Sequence, residues 1–273
     1  MRIVFLSDIH FGRIASPRIV SALVDDIRSH NPDLVVVGGD LTQRSRKTEL
    51  RAAARLLADI KANIVIPGNH DVFAWWFPIR RLVAPLDRYR RMVPYPIEAE
   101  LVTDEAAILA LNSSFGWTVK GGRFTRGQIN RARTFFSSAG TRLKILVVHH
   151  HLSDLRDVFG KHDIAIGGRR LFATVLETGV DLILSGHLHQ SHSQIVGVGR
   201  KTAVLVSSGT ATSDRGRRAD LNRNIYELVS FSPFRIEILE RVFSVRSEVF
   251  EDGRVFSFVQ RDDVWFDEER PGE

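Results

Sequence analysis

Five segments of this chain set a histidine, aspartate or asparagine directly behind a short apolar run: Ser7-Asp8-Ile9-His10, Gly38-Gly39-Asp40, Gly68-Asn69-His70-Asp71, His149-His150-His151 and Gly186-His187-Leu188-His189. A short apolar run closed by a polar loop is the pattern of a buried strand. In an open α/β sheet the carboxyl ends of parallel strands share one edge, and ligands bind there. The five loops are therefore expected to converge, which restricts the fold more than any compositional feature does.

The rest of the pattern agrees. Arg2–Leu6 reads as a buried strand, and Pro17 opens a helical pattern with Ile19, Val20, Leu23, Val24 and Ile27. Leu34–Val37 is a second strand, a helix runs from about Lys47 to Ala58, and Asn63–Ile66 is a third strand. Ala107–Leu111 and Lys144–Val148 are further core strands with a helix near Arg126–Ser137 between them, and helix 168–178 precedes strand Asp181–Leu184. Short β-branched strands alternating with helices predict a parallel sheet covered on both faces. After Ser193 the alternation stops. Ser193–Val198, Ala203–Ser207, Ile225–Phe231, Arg235–Phe243 and Gly253–Gln260 follow without long helices, which predicts an antiparallel second half. The expected class is α/β, with two facing mixed sheets flanked by helices. The chain is expected to form one domain over 1–273, motif-bearing in 1–212 and strand-rich in 213–266, with a frayed tail from Asp267 to Glu273.

Composition removes several chemistries. There are no cysteines, so disulfides, thiolate nucleophiles and zinc–thiolate sites are excluded, and any metal must be held by His, Asp, Asn or Glu. The net charge of +6 favours anionic partners, although only six of the 38 basic residues are lysine, as genome composition alone can produce. No stretch approaches the roughly 18 apolar residues of a membrane span, and MRIVFLSDIHFG lacks a small-residue cleavage site. A soluble, cytoplasmic chain is expected.

Carboxylate, imidazole and amide oxygen are the donors that hard and borderline cations take. The two-residue spacing of Asp8/His10 and of His187/His189 lets both side chains of an extended loop reach neighbouring coordination positions. Glycines 38, 39, 68 and 186 permit tight turns where strand becomes loop. Singly, an Asp-x-His or a Gly-Gly-Asp is a common turn; five in this order at strand ends are not.

The ordered set Asp-x-His, Gly-Asp, Gly-Asn-His-Asp, His and Gly-His-x-His resembles the calcineurin-like metallophosphoesterase superfamily over residues 3–189. SDIHFG, GGDLTQ, PGNHD and SGHLHQ are most similar to the branch containing bacterial cyclic-nucleotide phosphodiesterases, as is Ser208–Thr212 followed by Arg215 and Asn224. The resemblance implies two divalent or mixed-valence metal ions, manganese, iron or zinc. One would be held by Asp8, His10, Asp40 and His189, the other by Asp40, Asn69, His149 and His187, with Asp40 as the bridge. The first histidine after the strand is the family's ligand, which favours His149 over His150 and leaves His151 a supporting or loop residue. His70 is implied as the proton donor to the leaving alkoxide, with Asp71 orienting its imidazole.

The implied reaction is hydrolysis of a small phosphodiester, cyclic nucleotides included, by hydroxide generated on the cations. Three other readings stand beside it. SDIHFGR is also similar to the start of recombination nucleases, and the charge suits DNA, but the chain is short and has no coiled-coil segment. A pyrophosphohydrolase of nucleotide-linked lipid precursors commonly has Arg where this chain has His70. A non-catalytic binding protein would not be expected to keep every ligand type.

Two segments lie outside the motif set. Val72–Phe77 and the arginines at 80, 81, 88, 90 and 91 read first as a core-packing helix with a solvated basic face, and otherwise as a substrate wall, a dimer contact or a lipid-facing patch. The loop bearing Arg215, Arg217, Arg218 and Arg223 reads equally as an anion contact or a solvated loop. A homodimer is allowed by either the aromatic segment or the strand-rich end.

Overall fold

The computed structural model describes residues 1–118, 121–154, 164–217 and 220–268. Two sheets lie face to face. The first has the order β13-β12-β11-β10-β1-β2-β3 and the second β4-β5-β6-β7-β9-β8. In the first sheet β1 (Arg2–Leu6), β2 (Leu34–Val37) and β3 (Ile64–Val65) are parallel. Antiparallel β10 (Ile225–Ser232), β11 (Arg235–Ser244), β12 (Val249–Arg261) and β13 (Val264–Asp267) extend it. In the second, β5 (Ala106–Leu111), β6 (Leu143–Val148), β7 (Leu182–Ser185) and β9 (Lys201–Ser207) are parallel, with β4 (Ala99–Val102) and β8 (His192–Val198) as antiparallel edges.

Three apolar layers hold this together, each specified by strand alternation. Ile3, Phe5, Leu34 and Val36 point inward against Ile108, Ile145, Val147, Leu182 and Val204 of the other sheet. Val4, Leu6, Val35 and Val37 point the other way, against α1 (Ile19–Ser29) and α2 (Lys47–Asp59). On the far face, Leu109, Leu146 and Ile183 meet α5 (Arg126–Ser137) and α6 (Gly168–Glu177). The inner strands are buried on both faces, which is why they read as unbroken Val/Ile/Leu runs. Burying each such side chain contributes about 1.5–3 kcal/mol. Thr125 opens α5 with a capping box, its hydroxyl accepting from the Gln128 amide.

Four points differ from expectation. The second half is not uniformly antiparallel: β9 pairs parallel to β7 (Leu182↔Val204), because the β8 hairpin arm carries the chain back along the edge before β9 enters the sheet. β4 alternates between half-buried and exposed positions on an edge, too weakly apolar to show in the sequence. Segment 72–91 is not one core-packing helix but two short ones, α3 (Pro78–Val83) and α4 (Asp87–Met92), and every residue from Trp75 to Ala84 except Arg81 is exposed. Asp267 closes β13 rather than starting a frayed tail; residues 269–273 of that tail, and Arg218, lie outside the described residues. Among the described residues no helix is long and apolar enough to cross a membrane.

Candidate metal centre

All five polar segments sit at carboxyl ends of strands: after β1, β2 and β3 in one sheet and after β6 and β7 in the other. Pairing continues past the strand ends. The Asp8 amide donates to Gly39 O (3.0 Å), the His10 amide to Asp40 O (2.9 Å), and the Gly186 amide to His149 O (3.2 Å). The Ser208–Thr212 segment braces the first loop, with Thr210 and Thr212 hydroxyls donating to Asp8 O (2.6 Å) and Ile9 O (2.7 Å).

The loops reach the site through unusual backbone. Asp8, His10, Asp40, His187 and His189 all have positive φ, between 51° and 78°. Residues with a Cβ adopt that region sparingly, and clusters of such residues mark functional sites. Gly68 and Gly186 make the packing possible. A Cβ on Gly68 would strike the Asp40 carboxylate and amide, and one on Gly186 would strike Ser7 Oγ and Asp8 Oδ2.

Ligand-type atoms gather in two groups. Asp8, His10, Asp40 and His189 offer donor atoms within 4.8 Å of one another, and His149, His150 and His187 do the same. Asp40 Oδ2 faces both groups, 3.6 Å from His10 Nε2 and 3.5 Å from His149 Nε2. Asn69 Oδ1 lies 3.3 Å from His149 Nε2, beside the second group. His150 is the addition that sequence reasoning set aside. Its ring lies 4.5 Å from that of His187, while its Nδ1 shares a 2.7 Å hydrogen bond with Ser113 Oγ.

Whether these residues fit cations is decided by where their protons go. His10, His149 and His189 each turn Nδ1 to a main-chain carbonyl, of Thr42 (3.3 Å), Gly38 (2.8 Å) and Arg215 (2.8 Å). An imidazole that donates through Nδ1 presents a lone pair at Nε2, the arrangement of a metal-ligating histidine. The Nε2 atoms of His10 and His189 then face each other at 3.1 Å. Asp8 Oδ2 accepts the His187 amide (2.9 Å), whereas buried Oδ1 accepts no hydrogen bond and lies 3.1 Å from His189 Nε2. Lone pairs aimed at one another and at a buried carboxylate oxygen are stabilised by positive charge between them. The donor set fits a cation pair.

The electrostatics carry the same demand. Burial alone would raise the carboxyls of Asp8 and Asp40, but His189 and His10 beside the first and His149 and His70 beside the second hold both well below the usual range. Burial disfavours the charged form of His149, yet Asp40 pushes it up to about 9. Burial dominates at His10, pushing it down to about 4, and at His187, which lies well below its ordinary value. His70 sits at the rim, its ring 4.8 Å from that of His10, and its Nδ1 faces Gln43 O at 2.9 Å.

Asp71 requires a correction. Its carboxylate does not hold the His70 imidazole. It accepts from the amides of Leu41 (3.1 Å), Thr42 (3.0 Å) and Gly68 (3.0 Å) and from the Thr42 hydroxyl (2.9 Å), tying the loop after β2 to the loop after β3. Burial and the Asp40 charge push it up to about 7 against those donors. Arg215, by contrast, reaches the site from the loop between β9 and β10, where its guanidinium donates to Gln43 Oε1 (3.0 Å) and approaches His70 Nε2 at 3.1 Å. Asn69, His70, Trp75 and Arg215 line a cavity of about 190 Å³.

Comparisons with known proteins agree with this architecture. The profile of the calcineurin-like phosphoesterase family matches residues 1–191. A Pseudoalteromonas protein named a probable cyclic nucleotide phosphodiesterase is 24% identical over 206 residues, covering 71% of this chain and 73% of that protein. A Danio rerio transmembrane protein with a metallophosphoesterase domain is 36% identical over 86 residues, and the match spans 29% of this chain and only 20% of that relative's length. A purple acid phosphatase from yellow lupin seeds (Lupinus luteus) shares the fold, with a TM-score of 0.68 at 12% identity, over 94% of this chain and 53% of that one. With the family's profile spanning the five polar loops and both clusters of donor atoms, this chain belongs to the calcineurin-like phosphoesterase family of hydrolases.

Proposed function

We propose that this chain is a dinuclear-metal-dependent phosphodiesterase acting on small phosphodiesters, cyclic nucleotides among them. The observation that carries the reading is Asp40 Oδ2, poised between His10 and His149. Asp8, His10, Asp40 and His189 would hold one cation, and Asp40, Asn69, His149 and His187 the other. When bound, such a pair supplies Lewis acidity toward phosphoryl oxygens and lowers the pKa of a coordinated water.

The chain's own groups supply the rest. Gln43 O accepts from Nδ1–H of His70, and in the imidazolium form Nε2 carries the second proton, which it delivers to the leaving oxygen. Arg215, more than half buried beside it, donates to an anionic phosphoryl oxygen and orients the ester. A mouth of about 190 Å³ suits a small substrate. A diester is favoured by the SDIHFG, GGDLTQ, PGNHD and SGHLHQ segments and by the name of the Pseudoalteromonas relative.

A panel of bis-aryl phosphodiester, aryl monoester, cyclic nucleotides and single-stranded DNA, run on metal-reconstituted protein, tests this reading. Preference for diesters is expected. Preference for the monoester would overturn it, and selective cleavage of DNA would move the assignment to a nuclease.

A further inference from the structure

The segment that follows the Asn-His-Asp loop turns its large apolar side chains to solvent. Trp75 is 51% exposed, Trp76 55%, Ile79 76%, Leu82 62% and Val83 81%, and Phe77 lies between them. Ile79, Leu82 and Val83 stand at i, i+3 and i+4 along α3 and so share one face, with Trp75, Trp76 and Phe77 immediately ahead of the helix. Trp117 widens it, because its loop is pinned to α3: the Arg81 guanidinium donates to Thr118 O (3.3 Å). Soluble chains seldom leave so contiguous an aromatic and aliphatic patch uncovered without a partner for it.

The rim identifies the partner. Arg44 lies over Trp76 (5.8 Å) and Arg88 over Phe77 (5.4 Å), and Arg80, Arg90 and Arg91 are exposed nearby. Asp87 is the only carboxylate between Val72 and Met92, and it is engaged by Arg91 at 3.0 Å. A second copy docking through the same face would set arginines against arginines. Nucleic acid would leave Ile79, Leu82 and Val83 without apolar contact. Tryptophans and aliphatics beside unneutralised arginines match the boundary between acyl chains and anionic headgroups.

We propose that the face formed by Trp75–Val83 and Trp117 docks onto an anionic phospholipid surface. Trp75 also lines the cavity with His70 and Arg215, so docking sets that cavity against headgroup phosphates. This last consequence rests on the phosphodiesterase reading; the docking itself does not.

The test uses the full metal-free chain with sedimenting vesicles of phosphatidylcholine, with and without phosphatidylglycerol. Binding to the anionic vesicles, a blue shift of tryptophan emission and weakening by salt are expected. The triple variant Ile79→Asn/Leu82→Asn/Val83→Asn should lose roughly tenfold or more in partitioning, while keeping the parent's circular dichroism and unfolding midpoint. Val245→Asn, at an exposed apolar residue far along the chain, should bind as the parent does. No binding, equal binding to neutral vesicles, or equal binding by the triple variant would overturn the proposal. A dimer that the triple variant splits, without vesicle binding, would assign the face to self-association instead. Because no arm needs turnover, failure here leaves the phosphodiesterase reading standing.

Discussion

The main-chain amide of His70 donates to Oδ1 of Asp40 at 2.7 Å. The proposed proton donor is thus anchored to the proposed bridging carboxylate by backbone, and its imidazole is free to act without being a ligand. Replacing the side chain leaves that anchor in place.

His70→Ala should therefore bind metal as the parent does yet lose roughly 10²–10⁴-fold in kcat on esters with alkyl leaving groups. Activated aryl diesters, whose leaving groups need no proton, should lose far less. Equal losses on both ester types, measured side by side, would remove the general-acid role.

Exhaustive chelation should abolish turnover, and Mn²⁺ should be among the ions that restore it. Asp40→Asn should reduce metal content from about two ions per chain to less than one, because its Oδ2 serves both groups. Metal loading should also raise the unfolding midpoint by mass action, with about 2.7 kcal/mol at a free metal concentration a hundred times Kd. Elemental analysis and thermal unfolding check these outcomes; full turnover by metal-free protein would defeat the mechanism.

Arg215→Met should raise KM by roughly 10–100-fold, the equivalent of one charge-assisted hydrogen bond. Arg215→Lys should recover part of the loss, since it restores the charge without the planar fork. Unchanged KM in both variants would leave Arg215 a loop brace for His189, whose Nδ1 meets the Arg215 carbonyl.

Away from the site, Ser191 Oγ lies 2.8 Å from Glu227 Oε1 and 2.7 Å from Glu240 Oε1 in the core. Burial pushes the Glu227 carboxyl from 4.5 up to about 8. Between those values the folded chain holds a proton that the unfolded chain has released, so stability falls as pH rises from 4.5 toward 8 and levels off above. The slope from this one group is at most about 1.4 kcal/mol per pH unit. Denaturant unfolding of Glu227→Gln should lack that component; an unchanged pH profile would show that Glu227 is ionised in the fold.

Much of this architecture was legible in the residues. The β1, β2, β5, β6 and β7 runs announce themselves because both faces of each strand are buried, and the polar ends of the neighbouring loops carry donors that only a cation or a phosphoryl group explains. α5 was legible over Arg126–Ser137, and the structure adds the Thr125 capping box that fixes its start. β13 was not, since it follows a turn at Asp262 and Asp263, both at positive φ, and is only four residues long.

The sequence alone determined which donor types were available, that thiolate was not among them, and that strand ends would present them along one edge. Tertiary structure decided how they meet. It set five candidate ligand residues at positive φ, sent three Nδ1 protons to carbonyls of Thr42, Gly38 and Arg215, and turned Asp71 from the His70 imidazole to the amides of Leu41, Thr42 and Gly68. It also left Trp75, Trp76, Phe77, Ile79, Leu82 and Val83 uncovered although such apolar side chains read as core. The physical reason is range: strand and helix periodicity are local and repeat along the chain, whereas a histidine's tautomer and a side chain's exposure depend on single partners brought together from distant segments.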